Sequence, residues 1–193
     1  MRAAFGRSRY AGSMRLSPLT SLLCVIDVQE RLLPVVPDAD RVVARCERLA
    51  EAARILGVRS VLTEQYPRGL GPTPASLARL LPPAVEKMAF SSAGCSAVEA
   101  ALAEGVSSVV LAGLETHVCI SQTALDLLAA GKHVFLAIDA LSARHAIDHE
   151  TAVRRLEAAG VIPTTSEAIL FEWCRSAEHP QFQAVRRLVL EPR

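Results

Sequence analysis

Aromatic residues are scarce in this 193-residue chain, 4% of the total against 51% hydrophobic overall, so any core must come mainly from Ala, Val, Leu and Ile packed between helices and sheet. An excess of charge is missing too: 21 Lys and Arg face 20 Asp and Glu, a formal net charge of +1. That balance provides no broad field for nucleic acid or an anionic membrane, and points to a small-molecule partner. No apolar run approaches the roughly 20 residues that span a bilayer. The five cysteines, Cys24, Cys46, Cys95, Cys119 and Cys174, form no CxxC pair and no zinc-finger spacing. Reduced thiols in a cytoplasm are therefore expected in place of a disulfide framework. A GxGxxG turn is also absent: the first apolar segment runs into DVQERLLP, and GLGPTP lies in a Pro-rich loop, which argues against a dinucleotide-binding oxidoreductase. Neither a basic stripe nor an aromatic platform suits RNA.

Length and composition suit one domain with a substantial core. Residues 1–19 carry Arg2, Arg7, Arg9 and Arg15 with no acid. They read as a disordered leader or as residues ahead of an alternative start at Met14, with a mitochondrial targeting segment the other option. Residues 20–193 form the domain, free of repeats, low-complexity tracts and linkers.

Strand-length apolar runs alternate with helical stretches, the pattern of a parallel sheet wrapped by helices. Strands are expected at Leu22–Asp27, Arg59–Thr63, Ala84–Met88, Ser108–Ala112, His133–Ile138 and Val161–Thr164. Helices are expected from an Asp38 cap to Leu56, near Ala75–Leu81, over Ser96–Glu104 and His117–Ala130, from an Asp148 cap to Ala159, and in two closing segments, the first capped by Ser166. The loop EQYPRGLGPTP, with three prolines and two glycines, is read as irregular. The fold class is α/β: one doubly wound, Rossmann-like domain with a six-stranded, mainly parallel sheet and helices on both faces.

In such sheets ligands gather at the carboxyl ends of the strands. Asp27 ends the first strand, Lys87 lies at the end of the third, and Cys119 follows the fourth across GLETHV. Each residue alone has an ordinary structural use, as a loop ligand, a solvated surface group or a buried hydrophobe. Together they can converge. A thiol in the first turn of a helix sits near unpaired N–H groups and the positive dipole end, so a thiolate is expected, further favoured by Lys87. Asp27 could take the thiol proton and later activate water, and the turn's N–H groups could hold an oxyanion.

The blocks CVIDVQE, TEQYPRGLGPT, VEKMAFS, VLAGLETHVCISQTALDLL and DALSAR, in that order, resemble the isochorismatase-like cysteine hydrolases from about Leu22 to Leu188. TEQYPRGLG with the later HPQF most resembles the subgroup of isochorismatase domain-containing proteins. The resemblance implies a catalytic triad of Asp27, Lys87 and Cys119. It also implies a non-proline cis peptide between Leu114 and Glu115, with the N–H groups of Glu115 and Cys119 forming the oxyanion hole. Nicotinamidases of this superfamily bind a divalent metal through an Asp and histidines in the loop after the second strand. The corresponding loop here, Glu64 to Pro74, has no histidine, so no catalytic metal and no other cofactor are expected.

The five histidines, His117, His133, His145, His149 and His179, offer no ligand pattern at one strand edge, and His145 with His149 is expected to face solvent. Gln29 could position substrate or hold Asp27. Tyr66, Phe90 and His117 could wall the pocket, with core packing for Phe90 and exposure for His117 as alternatives. Asp139 is expected to stabilise its loop through Ser142 and Arg144. The functional expectation is a metal-independent hydrolase of a small amide, ester or related substrate through a covalent thioester-type intermediate. A binding or scaffold protein that keeps the fold without useful turnover is the alternative. The resemblance implies a homo-oligomer, for which the apolar helix from His117 to Ala130 could serve as an interface, although its composition favours burial in the monomer core.

Overall fold

A computed structural model describes residues 15–190. Its elements run β1 (Ser21–Ile26), α1 (Ala39–Leu56), β2 (Arg59–Gln65), α2 (Pro67–Leu70), α3 (Ala75–Ala78), β3 (Val85–Lys87), α4 (Ser96–Ala103), β4 (Ser108–Gly113), α5 (Ser121–Ala129), β5 (His133–Leu141), α6 (Ala146–Ala159), β6 (Ile162–Thr164), α7 (Ser166–Cys174) and α8 (Phe182–Leu190). The six strands form one sheet in the order β3-β2-β1-β4-β5-β6. Every pairing is parallel, so the sheet is parallel throughout where the sequence suggested mainly parallel.

Both faces of the sheet are covered, which is why β1 and β4 read as unbroken apolar runs and are buried at every position. Successive residues of β1 alternate between two cores. Leu23 and Val25 pack with Val42, Cys46 and Leu49 of α1 and with Ile169, Trp173 and Val185 of the closing helices. Leu22, Cys24 and Ile26 pack with Val98, Ala124, Leu127 and Leu156 of α4, α5 and α6. Trp173, the one tryptophan, is fully buried and donates its indole N–H to Ser21 Oγ at 3.1 Å.

α1 ends as expected at Gly57, whose left-handed φ of 70° closes the helix. Four local expectations fail. Pro67–Leu70 forms a helical turn inside the segment read as irregular, since proline at the first helical position lacks only an N–H that would go unpaired there. Asp38 precedes α1 without a side-chain capping bond. α6 begins three residues early, after His145, with Asp148 inside its first turn. Thr165, not Ser166, caps α7, accepting the Ala168 N–H at 3.3 Å. Packing also begins ahead of residue 20: Leu16 is fully buried and its N–H donates to Glu172 at 2.8 Å. The leader expected over residues 1–19 therefore overlaps packed chain from Leu16, and residues 1–14 lie outside the described residues. No helix among the described residues is long and apolar enough to cross a membrane.

The chain reverses direction across the sheet between β1 and β4, the crevice where doubly wound folds bind ligands. Gly113 makes the close approach possible. With φ at 117°, it lies against Ile26, and a Cβ there would stand 2.0 Å from the Ile26 carbonyl oxygen. The next residue, Leu114, donates its N–H to that same oxygen at 2.8 Å.

Candidate active site

Asp27, Lys87 and Cys119 meet at this crevice. Asp27 leaves β1 in a left-handed conformation (φ 53°), an uncommon state for a residue with a Cβ, and its carboxylate is fully buried. Lys87 Nζ donates to Asp27 Oδ2 at 2.6 Å and to Gln65 Oε1 at 2.8 Å. The carbonyls of Phe90 and Ala89 lie at 3.0 and 3.3 Å from the same nitrogen. Thr63 Oγ1 donates to Asp27 Oδ1 at 2.8 Å, while the Asp27 N–H donates to the Thr63 carbonyl at 3.1 Å. A buried charge pair needs such additional partners, because Coulomb attraction alone does not offset desolvation.

The Cys119 thiol is buried, and the charges of Asp27 and Lys87 both act on it. Its position is set by a π-helical turn, Thr116–Ile120, leading into α5. Thr123 Oγ1 donates to the Cys119 carbonyl at 2.7 Å and accepts the Ser92 N–H at 2.8 Å. Ser92 Oγ lies 3.4 Å from Thr63 Oγ1, so a line of hydroxyl groups joins the cysteine's turn to the partner of Asp27.

Burial of the site opposes the expected thiolate. Burial, reinforced by the adjacent Asp27 carboxylate, pushes the Cys119 thiol up to about 12, and Lys87 opposes this only in part. The sequence places the thiol beside a helix start and a lysine, but it does not register how fully the site is dried or how tightly Lys87 is already paired. Cys24 and Cys46 are buried and raised as well; Cys46 lies in the core on the other side of the sheet, where burial is the main cause and Asp139 and Glu47 add to it.

The Leu114–Glu115 peptide is cis. The Glu115 N–H has no backbone acceptor among the described residues, and the Glu115 carboxylate accepts from the Arg144 N–H (3.1 Å) and Nε (3.0 Å). Thr116 donates its N–H and Oγ1–H to the Ser142 carbonyl, at 3.0 and 2.9 Å, and its Oγ1 lies 2.9 Å from His149 Nδ1. Since that hydroxyl proton goes to Ser142, the ring N–H of His149 donates to Thr116. His149 is thus half-buried against the π-helical turn that carries Cys119 and not solvent-facing with His145, and burial lowers its pKa.

Among the pocket candidates, Gln29 is fully buried and does not face a ligand. Its Nε2 donates to the carbonyls of Gln65 (3.1 Å) and Gly71 (2.6 Å), and its Oε1 accepts the Gln65 N–H at 2.8 Å. It straps the loop after β2 to β1, a role the sequence left open between substrate and support. Tyr66 and Phe90 are half-exposed at the ends of β2 and β3, which removes the core alternative for Phe90. His117 is partly exposed, with Nε2 3.9 Å from Asp148 and a buried Nδ1 that has no partner. Asp139 does not hold Ser142 or Arg144. Its carboxylate accepts from the N–H (2.7 Å) and Oγ (2.5 Å) of Ser166 and lies 3.5 Å from Arg45, fixing the start of α7.

Thr63, Gln65, Ser92 and Thr123 were not anticipated. The available signal was TEQ at the end of β2: Thr63 and Gln65 point to one side, and Gln65 is in register with Lys87. In the loop after β2, Glu64 Oε1 accepts the Thr73 N–H at 2.7 Å. Among the described residues no three His, Cys, Asp or Glu side chains gather as a metal-binding group.

Residues 21–168 match the Isochorismatase domain family model. "Isochorismatase domain-containing protein 1" of Danio rerio is 43% identical over 180 residues, 90% of this chain and 62% of that protein, so the chain spans less than two thirds of that relative's length. "Isochorismatase domain-containing protein 2" of Bos taurus is 41% identical over 92% of this chain and 87% of its own. Among solved structures, the "MAR1 Ribonuclease" of Caenorhabditis elegans superposes with a TM-score of 0.88 at 38% identity, covering 92% of this chain and 93% of that one. The YcaC protein of Escherichia coli, titled an octameric hydrolase of unknown specificity, shares the fold at a TM-score of 0.80 and 23% identity, over 95% of this chain and 97% of that one. With the family model spanning most of the domain and curated relatives above 40% identity along nearly the whole chain, this protein belongs to the isochorismatase domain family.

Proposed function

We propose that the protein is a cysteine hydrolase acting on a small amide, ester or related substrate without a metal, with Cys119 as nucleophile. The observation that carries this reading is a buried, fully partnered Asp27–Lys87 pair whose charges act on the buried Cys119 thiol. A thiol raised to about 12 is a poor nucleophile until its proton leaves, and Asp27 is the neighbouring carboxylate that would receive it. As sulfur bonds to the carbonyl carbon, the S–H proton passes to Asp27 and the carbonyl oxygen takes up the electron pair. The N–H groups of Glu115 and Cys119 hold that oxyanion. Collapse expels the amine or alcohol, which takes the proton from Asp27, and leaves a thioester. Water, deprotonated by Asp27, then attacks the thioester and releases the acid and the thiol. Lys87 balances the charge on Asp27 as the proton moves.

The test is turnover of a panel of small amides and esters by wild-type protein and Cys119→Ser. Cysteine-dependent product supports the hydrolase. Binding that persists with no product from either protein favours the scaffold alternative. RNA cleavage is a second reading, favoured by the name of the Caenorhabditis elegans relative. It predicts Cys119-independent cutting of a single-stranded RNA, whereas the near-neutral net charge supports a small substrate. Self-association into a homo-oligomer is part of the proposal, tested by sedimentation.

A further inference from the structure

We infer that Arg144 is a positioning residue for acyl transfer, acting through Glu115 to cancel the charge of a carboxylate that stands within reach of the oxyanion; this rests on the hydrolase reading above. Glu115 supplies one of the two N–H groups assigned to that oxyanion. Its carboxylate hangs from the same Cα, and with bonds of about 1.5 Å no rotamer carries the carboxylate oxygens more than about 6 Å from the donor nitrogen. The side chain is nearly buried, 9% exposed, so solvent and salt screen its charge poorly.

A like charge at that range opposes an anion forming on the substrate's carbonyl oxygen, so donors placed beside an uncompensated carboxylate would work against themselves. Arg144 removes the conflict. Its Nε donates to Glu115 Oε1 at 3.0 Å, and its backbone N–H donates to the same oxygen at 3.1 Å. The residues around Cys119 then include two internally balanced pairs, Asp27 with Lys87 and Glu115 with Arg144. Neither pair opposes the electron pair arriving on the carbonyl oxygen.

The backbone of the turn does not need the guanidinium to stay in place. Thr116, fully buried, is fastened by its two donations to the Ser142 carbonyl and by His149. Ser142 is anchored in turn, its hydroxyl donating to the Pro37 carbonyl at 3.1 Å, and Ser121 Oγ donates to the Thr116 carbonyl at 2.6 Å. On the other side of Glu115, the Leu114 N–H is held by Ile26. Arg144 itself is half-exposed, 51%, and truncating its side chain leaves the N–H of residue 144 on the Glu115 carboxylate. What truncation removes is therefore charge, with the hold on the turn retained.

The test follows p-nitrophenyl acetate and iodoacetamide on the same thiol, each by intact mass with peptide mapping to Cys119. Acylation builds charge on a carbonyl oxygen, whereas alkylation passes the electron pair to iodide and builds none there. The charges that act on the thiol are those of Asp27 and Lys87, so the ratio of acylation to alkylation rates isolates the oxyanion from thiol reactivity. Arg144→Ala should lower that ratio about tenfold, a moderate effect because the guanidinium is half-exposed. Arg144→Lys should keep it within about twofold, and Arg144→Ala combined with Glu115→Gln should bring it back to within about threefold of the wild type. Glu115→Gln alone, which leaves the guanidinium unopposed, should raise it about threefold and keeps the idea testable if Arg144→Ala fails to fold. A ratio unmoved in Arg144→Ala, a fall that Glu115→Gln does not reverse, or a fall in Glu115→Gln alone overturns the charge role while leaving the hydrolase reading in place. A wild-type Cys119 that the ester never acylates removes the hydrolase reading and this inference with it.

Discussion

Cys119 and Cys46 occupy matching situations on opposite faces of the same sheet, and the contrast separates burial from reactivity. Both thiols are buried and both are pushed up by loss of water. Cys46, packed in the core under α1, has the Ala140 carbonyl within weak reach, at 3.9 Å, and the Asp139 carboxylate that also acts on it is already engaged by Ser166 and Arg45. Cys119 has beside it the buried Asp27–Lys87 pair, a carboxylate and an ammonium group that both act on the thiol. The raised pKa alone therefore cannot mark a nucleophile in this protein. What distinguishes Cys119 is an acceptor for its proton.

The largest effect that would break this contrast is loss of the charged pair. Lys87→Ala leaves Asp27 buried and unpaired, and is expected to destabilise the fold by about 3 to 5 kcal/mol in denaturant titration and to abolish turnover. The double change Asp27→Asn with Lys87→Met should recover much of that stability and none of the activity. If the double variant turned over substrate, proton transfer to Asp27 would be the wrong mechanism. A smaller effect is expected for Thr63→Val, which strips a hydrogen bond from Asp27 Oδ1 and should cost about 1 to 3 kcal/mol along with part of the rate. The corresponding change beside Cys46 should leave the rate untouched.

The pH dependence gives the mildest and most diagnostic signal. Both thiols hold their protons in the folded state at pH values where an unfolded cysteine has lost its own. The unfolded chain then binds fewer protons, so stability is full below the ordinary thiol range, near 8.5, and declines as pH rises above it toward about 12. Cys119→Ala and Cys46→Ala should each flatten that alkaline decline in urea titrations. Alkylation of Cys119 should lack the thiolate inflection near 8.5 that a free cysteine shows. An inflection below 7 would restore the thiolate expected from the helix start.

Much of this was legible in the sequence because the fold sets positions by period and punctuation. The strands, the Gly57 stop and the placement of Asp27, Lys87 and Cys119 just past strand ends follow from apolar runs and the residues that end them. What depended on neighbours distant in sequence was not legible. Gln29 reads as a pocket residue until its amide is seen holding Gln65 and Gly71. Asp139 reads as a partner of Arg144 until Glu115 is found there instead, and Asp139 at the start of α7. The protonated state of Cys119 depends on desolvation and on Lys87 already being paired, two quantities that spacing does not contain. Proline in the loop after β2 was weighed as a breaker, although at Pro67 it starts a helical turn.

The most direct measurement is intact-mass analysis of the protein during turnover of a reactive ester, with peptide mapping of any adduct. An acyl group on Cys119, formed and discharged at the rate of product release and absent from Asp27→Asn, is the predicted result. Product formation with no adduct on Cys119, or with acylation shared equally with Cys46, would contradict a cysteine nucleophile activated by its neighbouring carboxylate.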